Sequence, residues 1–274
     1  MKYPCMICGG ESRHSFVKTY RPGLANEYLA HEFTVEYRTC RACGFTFSAT
    51  HQEMSAAEWE SLNYRFHHHI EQNPNARTFN QPPYPEQVFA VAALVKNSLI
   101  GPGDILDFAS GYGSMAKLLS TYFGIDILLY DPYVQESNGM PYVGSPSPAG
   151  YDMVINSAMF EHVRSREELD QVASLVGESG CLMLHTLVCE SVPVDPDWFY
   201  LNPIVHCAFH TNRSMQLLMD EWGFNSSIYS LPARSWWLFR REPENIDDSL
   251  RMINESFARD WFLHQRGFLD YWKE

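Results

Sequence analysis

Two C-x-x-C pairs, Cys5-Met-Ile-Cys8 and Cys40-Arg-Ala-Cys43, stand 31 residues apart near the N-terminus. Four converging thiolates fill a tetrahedral zinc shell and leave no position for a substrate, so such a centre is structural. Gly9 and Gly44 directly follow the pairs, where the chain must turn tightly around a ligand knuckle. The other three cysteines, Cys181, Cys189 and Cys207, lie scattered among apolar neighbours. In a chain without a secretory pattern this division reads as a metal site at Cys5, Cys8, Cys40 and Cys43, not as disulfides.

The second chemical feature is the run Asp104-Ile-Leu-Asp107-Phe-Ala-Ser-Gly111-Tyr-Gly113-Ser. It reads as a strand, a glycine turn and a helix, an order that lets backbone N–H groups approach a ligand closely. A strand ending in Leu128-Leu129-Tyr130 then delivers Asp131, 24 positions after Asp107 and suited to a ribose diol. A dinucleotide site calls for G-x-G-x-x-G, whereas here an acid precedes the turn. A carboxylate there repels a pyrophosphate and attracts the ammonium of an amino-acid ligand, which favours S-adenosylmethionine (SAM) over NAD.

These residues need elements to hold them. Residues 1–50 carry short strand-like runs at His14–Tyr20, Phe33–Thr39 and Phe45–Ser48 around the cysteines. Residues 51–83 are polar, with Asn73-Pro74-Asn75 and Gln81-Pro82-Pro83, and read as a connector with a short helix. From residue 84 helix and strand signals alternate. Val88, Val91, Val95 and Leu99 keep helical spacing up to Gly101-Pro102-Gly103; Ile105–Ala109, Ile125–Tyr130, Met153–Ile155 and Cys181–Val188 read as buried strands. Helices are expected around Met115–Tyr122, Leu169–Val176 and Met215–Trp222, and a strand pair at Ser227–Ser230 and Trp236–Arg240. Such alternation implies an α/β fold with a mostly parallel sheet covered by helices on both faces. The division is 1–50, 51–83, 84–243 and 244–274. The last segment is expected as a helical extension with Ile246, Leu250, Ile253, Phe257 and Trp261 on one stripe, fit for core packing or contact between two copies.

Composition narrows the partners. Hydrophobic residues at 45% and charged residues at 19% are ordinary for a globular domain, and no apolar run is long enough to span a bilayer. The expected location is cytoplasmic. A net charge of −13 without a Lys/Arg-rich run argues against a nucleic-acid partner.

Asp107-Phe-Ala-Ser-Gly111-Tyr-Gly113 resembles motif I of class I SAM-dependent methyltransferases, with Ala109 where the first glycine commonly stands. Tyr151-Asp152-Met-Val-Ile-Asn156-Ser-Ala-Met-Phe160-Glu161-His162-Val is similar to that family's fourth strand and following Glu-His signature. Gly180-Cys-Leu-Met-Leu-His185-Thr resembles its fifth strand, and Thr211 to Phe224 its next helix. The resemblance covers about residues 84–240. It implies a Rossmann-like seven-stranded sheet, preceded here by a small zinc-binding β module, as in bacterial sugar and natural-product methyltransferases. It implies cofactor contacts at Asp107, Ala109, Ser110, Gly111, Tyr112, Gly113, Asp131, Pro132, Asn156 and Ser157. One departure stands out: Gly139–Gly150 leaves little room for the family's third strand.

A small-molecule acceptor is implied, and a hydroxyl or enolisable carbon needs a base, a task suited to histidine. His206, in an aromatic loop that also holds His210, is the first candidate; His185, at the end of the fifth strand, is the second; His162, of the Glu-His signature, is the third. A divalent-metal alternative would draw on His185, Glu190, Asp195 and Asp197. His67-His68-His69 point in different directions on a helix and cannot share one ion there. Two rivals to a small-molecule enzyme are an rRNA or tRNA methyltransferase with a zinc module and a non-catalytic zinc-dependent scaffold.

Overall fold

The computed structural model describes residues 3–23, 26–72, 81–101, 103–134 and 139–272. The Asn73-Pro74-Asn75 stretch and Pro102 of the expected helix stop lie outside the described residues. The chain forms two compact units. One comprises 1–81, 160–168 and 187–217, the other 82–159, 169–186 and 218–274.

In the first unit β1 (Ser12–Tyr20), β2 (Phe33–Cys40) and β3 (Thr46–Ser48) form an antiparallel meander. It does not close on itself. β3 pairs with β9 (Ala208–Thr211) through Thr46↔Phe209, and β9 runs parallel to β8 (Val188–Cys189), giving the order β1-β2-β3-β9-β8. The cysteine-bearing strands are thus part of a sheet larger than residues 1–50 contain. After β3 come α1 (Ala49–Glu53), capped by Ser48, and α2 (Ala56–Gln72), 17 residues long and not the short connector helix expected. Trp59, Leu62 and Phe66 recur along α2 at helical spacing and pack with Phe16, Val35, Tyr37, Leu201, Ile204 and Phe209 in one core.

The second unit is a seven-stranded sheet in the order β12-β10-β11-β7-β6-β4-β5. Its parallel half comprises β4 (Ile105–Phe108), β5 (Leu128–Tyr130), β6 (Tyr151–Ser157) and β7 (Val176–His185). β10 (Ser226–Ser230) and β11 (Ser235–Phe239) form the expected hairpin, and β12 (Phe262–Gln265) adds an antiparallel edge. One sheet face, with Met153, Ile155, Met183 and Trp237, packs against α3 (Tyr84–Lys96), α4 (Ser114–Phe123) and α7 (Ile246–Ser256). The alternate residues Leu106, Val154, Leu182 and Leu238 are also fully buried, so the opposite face is covered too. Two further helices among the described residues are α5 (Arg166–Ser174) and α6 (Asn212–Glu221).

The seventh strand is not where the resemblance places it. Between β5 and β6 the described residues make one parallel bridge, Leu129↔Tyr142, in place of a third strand, and β12 brings the count to seven at the other edge. The C-terminal segment is therefore not one helix: α7 stops at Ser256, and Trp261 lies beyond it next to β12. Ile246, Leu250 and Ile253 are buried in their own chain's core, so the stripe serves internal packing.

Candidate functional site

In the first unit the four N-terminal cysteines converge. Cys5 Sγ lies 3.7 Å from Cys43 Sγ, and Cys8 Sγ lies 3.5 Å and 3.6 Å from those of Cys40 and Cys43. A sulfur tetrahedron with bonds of about 2.3 Å has edges of roughly 3.8 Å, so these spacings fit a zinc shell with little adjustment. The knuckles follow from the sequence: Gly9 and Gly44 adopt φ of 68° and 74°, and their N–H groups close turns onto the Cys5 and Cys40 carbonyls. The N–H groups of Ile7 and Ala42 point at Cys5 Sγ and Cys40 Sγ, both at 3.4 Å, and stabilise negative sulfur.

In the second unit the glycine turn follows β4 directly. Asp107 is the third residue of this four-residue strand and is fully enclosed. Burial, reinforced by the charge of Asp131, pushes its carboxyl from 3.8 up to about 8. Ala109 then takes φ of 61°, Gly111 52° and Gly113 70° before α4 begins. The φ of Gly113 favours glycine there, and a Cβ would also come within 2.8 Å of Leu129 Cδ1, so that side chain would have to shift. Ala109 makes the same left-handed excursion with a methyl group, at a cost of about 1 kcal/mol.

Asp131 stands at the end of β5 as expected, but most of its capacity is already used. One carboxylate oxygen accepts the Gly111 N–H at 2.8 Å, and the other accepts those of Tyr133 and Val134, both at 2.8 Å. It ties the second strand's exit to the glycine turn and keeps roughly one of its four lone-pair sites for a ligand. Ser110 N–H bonds the Tyr130 carbonyl at 3.1 Å, bracing the same junction. Tyr112 is exposed, and Pro132 sits on the bend after β5.

At the end of β6, Asn156 is fully buried; its amide nitrogen donates to the Phe108 carbonyl at 3.3 Å. Its Oδ1 accepts no hydrogen bond among the described residues. A buried acceptor left open beside the end of β4 fits a ligand donor, since such an atom is costly when unmatched. Ser157, also expected to face the cofactor, donates to Gln87 Oε1 at 3.0 Å, and Gln87 Nε2 donates to Ser235 Oγ at 3.2 Å. Gln87 went unread in the sequence, although a polar residue within the apolar α3 pattern was a signal. Tyr142 was missed too: it donates its hydroxyl to the Gly111 carbonyl.

The three candidate histidines separate. His185 belongs to the second unit, beside Ser157 in strand register at the C-terminal end of β7. Its Nδ1–H donates to the Arg234 carbonyl at 2.8 Å, which leaves Nε2 as the basic nitrogen. Burial above all holds its pKa down at about 4, so the ring is neutral at physiological pH. His162 and His206 belong to the first unit and meet there, their ring centroids 5.0 Å apart, with Glu161 alongside. Burial lowers His206 to about 4 and lowers His162 as well, with mutual repulsion adding to the effect on His162. His210 is fully buried between Phe45 and Phe160 and donates no chemistry to a surface.

His67, His68 and His69 turn to three different neighbours, the His162, Tyr64 and Tyr28 rings respectively. Glu190, Asp195 and Asp197 are exposed and form no cluster of ligand atoms among the described residues.

Residues 84–227, just over half of the chain, match a family model described as a methyltransferase domain. No curated protein matches the chain. Among solved structures, the plantazolicin methyltransferase BpumL with a monoazolic desmethylPZN analogue and SAH is 15% identical, with 76% of this chain and 95% of that one covered and a TM-score of 0.45. A SAM-dependent methyltransferase from Thermotoga maritima is 14% identical, covering 58% and 92%, with a TM-score of 0.40. A phosphoethanolamine N-methyltransferase from Haemonchus contortus is 13% identical, covering 61% and 42%, with a TM-score of 0.42.

Proposed function

Because the chain belongs to the methyltransferase-domain family, we propose that it is a SAM-dependent enzyme whose acceptor is a small molecule, such as a sugar, a nucleotide-linked sugar or a natural-product intermediate. The observation that carries the cofactor assignment is the enclosed Asp107 at the mouth of the left-handed turn Ala109–Gly113. A buried acid with a raised pKa becomes favourable as a carboxylate when a cation approaches it. The SAM ammonium is such a cation, and a dinucleotide pyrophosphate is the opposite.

SAM supplies a methyl group on a sulfonium centre. Asp107 holds the amino-acid end, the Ser110–Gly113 backbone approaches it closely, and the remaining acceptor capacity of Asp131 suits a ribose hydroxyl. Asn156 Oδ1 offers one further buried acceptor. Positioning contributes most of the rate in such an in-line displacement, since aligned reactants at about 3 Å behave as one molecule.

Removal of the acceptor proton is assigned to His185, which lies in the same unit as these cofactor residues and keeps Nε2 unprotonated. His185→Gln is expected to lower kcat by about 10²–10⁴-fold while SAM affinity stays unchanged. An unchanged kcat would remove His185 from the mechanism. The −13 net charge supports a small acceptor over a polyanion. The cysteine tetrahedron is assigned to structural zinc, and metal analysis of purified protein showing none bound at those thiols would withdraw that assignment.

A further inference from the structure

A second group of metal-ligating atoms lies in the first unit, apart from the cysteines. Ligand atoms of Glu161, His162 and His206 all fall within 4.8 Å of one another. In a first coordination shell with bonds near 2.1 Å, ligand atoms stand roughly 3 to 4 Å apart. Closing this group on an ion therefore takes only side-chain adjustment.

The chain builds the group from two segments and clamps them together. Glu161 and His162 lie on the short 3₁₀ turn Phe160–His162. His206 ends a turn closed by its N–H onto the Pro203 carbonyl at 3.1 Å. The next N–H, of Cys207, donates to the Glu161 carbonyl at 2.8 Å, so the two segments are held in fixed register. Glu161, Leu201, Ile204 and Val205 are buried, and His206 nearly so, which keeps bulk water from filling the gaps between ligands.

One residue orients two of the three ligands. The Tyr200 carbonyl accepts the His206 Nδ1–H at 2.7 Å, which fixes the tautomer and leaves the Nε2 lone pair available. The Tyr200 hydroxyl accepts the Leu187 N–H at 3.2 Å and donates its own proton to Glu161 Oε1 at 2.9 Å. A carbonyl behind an imidazole and a donor behind a carboxylate are the supports that metal ligands use to hold ring orientation and charge. His67, whose ring stacks on His162 at 5.6 Å, caps the group from α2.

We propose that Glu161, His162 and His206 bind one divalent transition-metal ion, with Tyr200 as the residue that positions the ligands. Two imidazoles and one carboxylate suit zinc, cobalt or iron, and leave a coordination position open to an oxygen donor. The site is distinct from the cysteine tetrahedron in its donors, and it stands whether or not His185 is the base.

Cobalt(II) titration of the full chain, stripped of metal under reducing conditions, separates the two sites by spectrum. A thiolate site shows sulfur-to-cobalt charge transfer, and an imidazole–carboxylate site does not. The expected result is an equivalent of bound cobalt without charge transfer in the wild type that is lost in both Glu161→Gln and His206→Gln. Its absence from the wild type, or its persistence in both variants, overturns the proposal. Tyr200→Phe removes one hydroxyl and keeps the ring packing; it should weaken that equivalent by about 10–100-fold while circular dichroism keeps the folded signature, and thermal unfolding moves down because the Leu187 N–H loses its acceptor. Unchanged affinity in this variant would also count against the proposal. The equivalent without charge transfer is scored after the thiolate equivalent has been filled, so that the first unit is folded when the second site is read.

Discussion

The cysteine cluster and the Asp107–Asp131 pair both gather acidic groups more closely than free solution would allow, and they relieve the repulsion differently. Four thiols whose sulfurs all lie within 4.8 Å of one another can all be ionised only around a dication. Of the two carboxyls, one can keep a proton: Asp107 does, and Asp131 spreads its charge over three backbone N–H groups. The first arrangement is complete only with a permanent ion, whereas the second persists without a partner and responds to one. The first is therefore read as architecture and the second as a site that binds and releases.

That difference orders the predictions. Removing metal from the cysteines should have the largest effect, because structural zinc contributes on the order of 10 kcal/mol in small zinc modules. Chelation, or Cys40→Ser, is expected to melt the β1–β3 meander and with it the pairing of β3 to β9. Loss of hydrogen-exchange protection at Phe33–Cys40 would record this, and protection kept under full chelation would show that the thiols need no ion.

The acid pair should respond to pH. In the folded chain Asp107 titrates near 8 instead of 3.8, so between those values the folded state holds a proton that the unfolded state has lost. Its contribution to stability without ligand is therefore highest below about pH 4 and falls as pH rises toward 8. A cationic ligand that needs the carboxylate behaves in the opposite way. SAM affinity should rise by up to about tenfold per unit between pH 6 and 8, with net proton release on binding. Calorimetry in two buffers of different ionisation enthalpy measures that release, and proton uptake would contradict the assignment. The smallest effect belongs to Ala109→Gly. Relief of the left-handed alanine should raise stability by about 0.5–1 kcal/mol in denaturant unfolding, and a loss of stability would mean that the methyl group packs usefully.

The same contrast explains what the sequence disclosed. The glycine turn is contiguous, so Asp107 through Gly113 could be read directly, and the cysteine knuckles repeat a short local pattern. Partnerships set by tertiary structure were hidden. The pairing of Thr46 with Phe209 joins residues more than 160 positions apart, and nothing near Phe262–Gln265 announces a sheet edge. The stripe from Ile246 to Trp261 kept helical spacing past the point where the helix ends, because Phe257 and Trp261 still pack on the same core. Ser157 was legible as a strand-end hydroxyl, but its engagement by Gln87 depends on a helix 70 residues away. Tyr200, aromatic among aromatics, gave no sign that it supports both Glu161 and His206.

The central claim is that the buried acid before the glycine turn holds SAM. Titration of SAM into the wild type and Asp107→Asn at pH 8 tests it directly, since asparagine keeps the shape of the side chain and removes the charge. Saturable one-to-one binding in the wild type, weakened by about 10–100-fold in Asp107→Asn with no loss of folded structure, is the predicted result. No binding by the wild type, or equal affinity in both proteins, would contradict it.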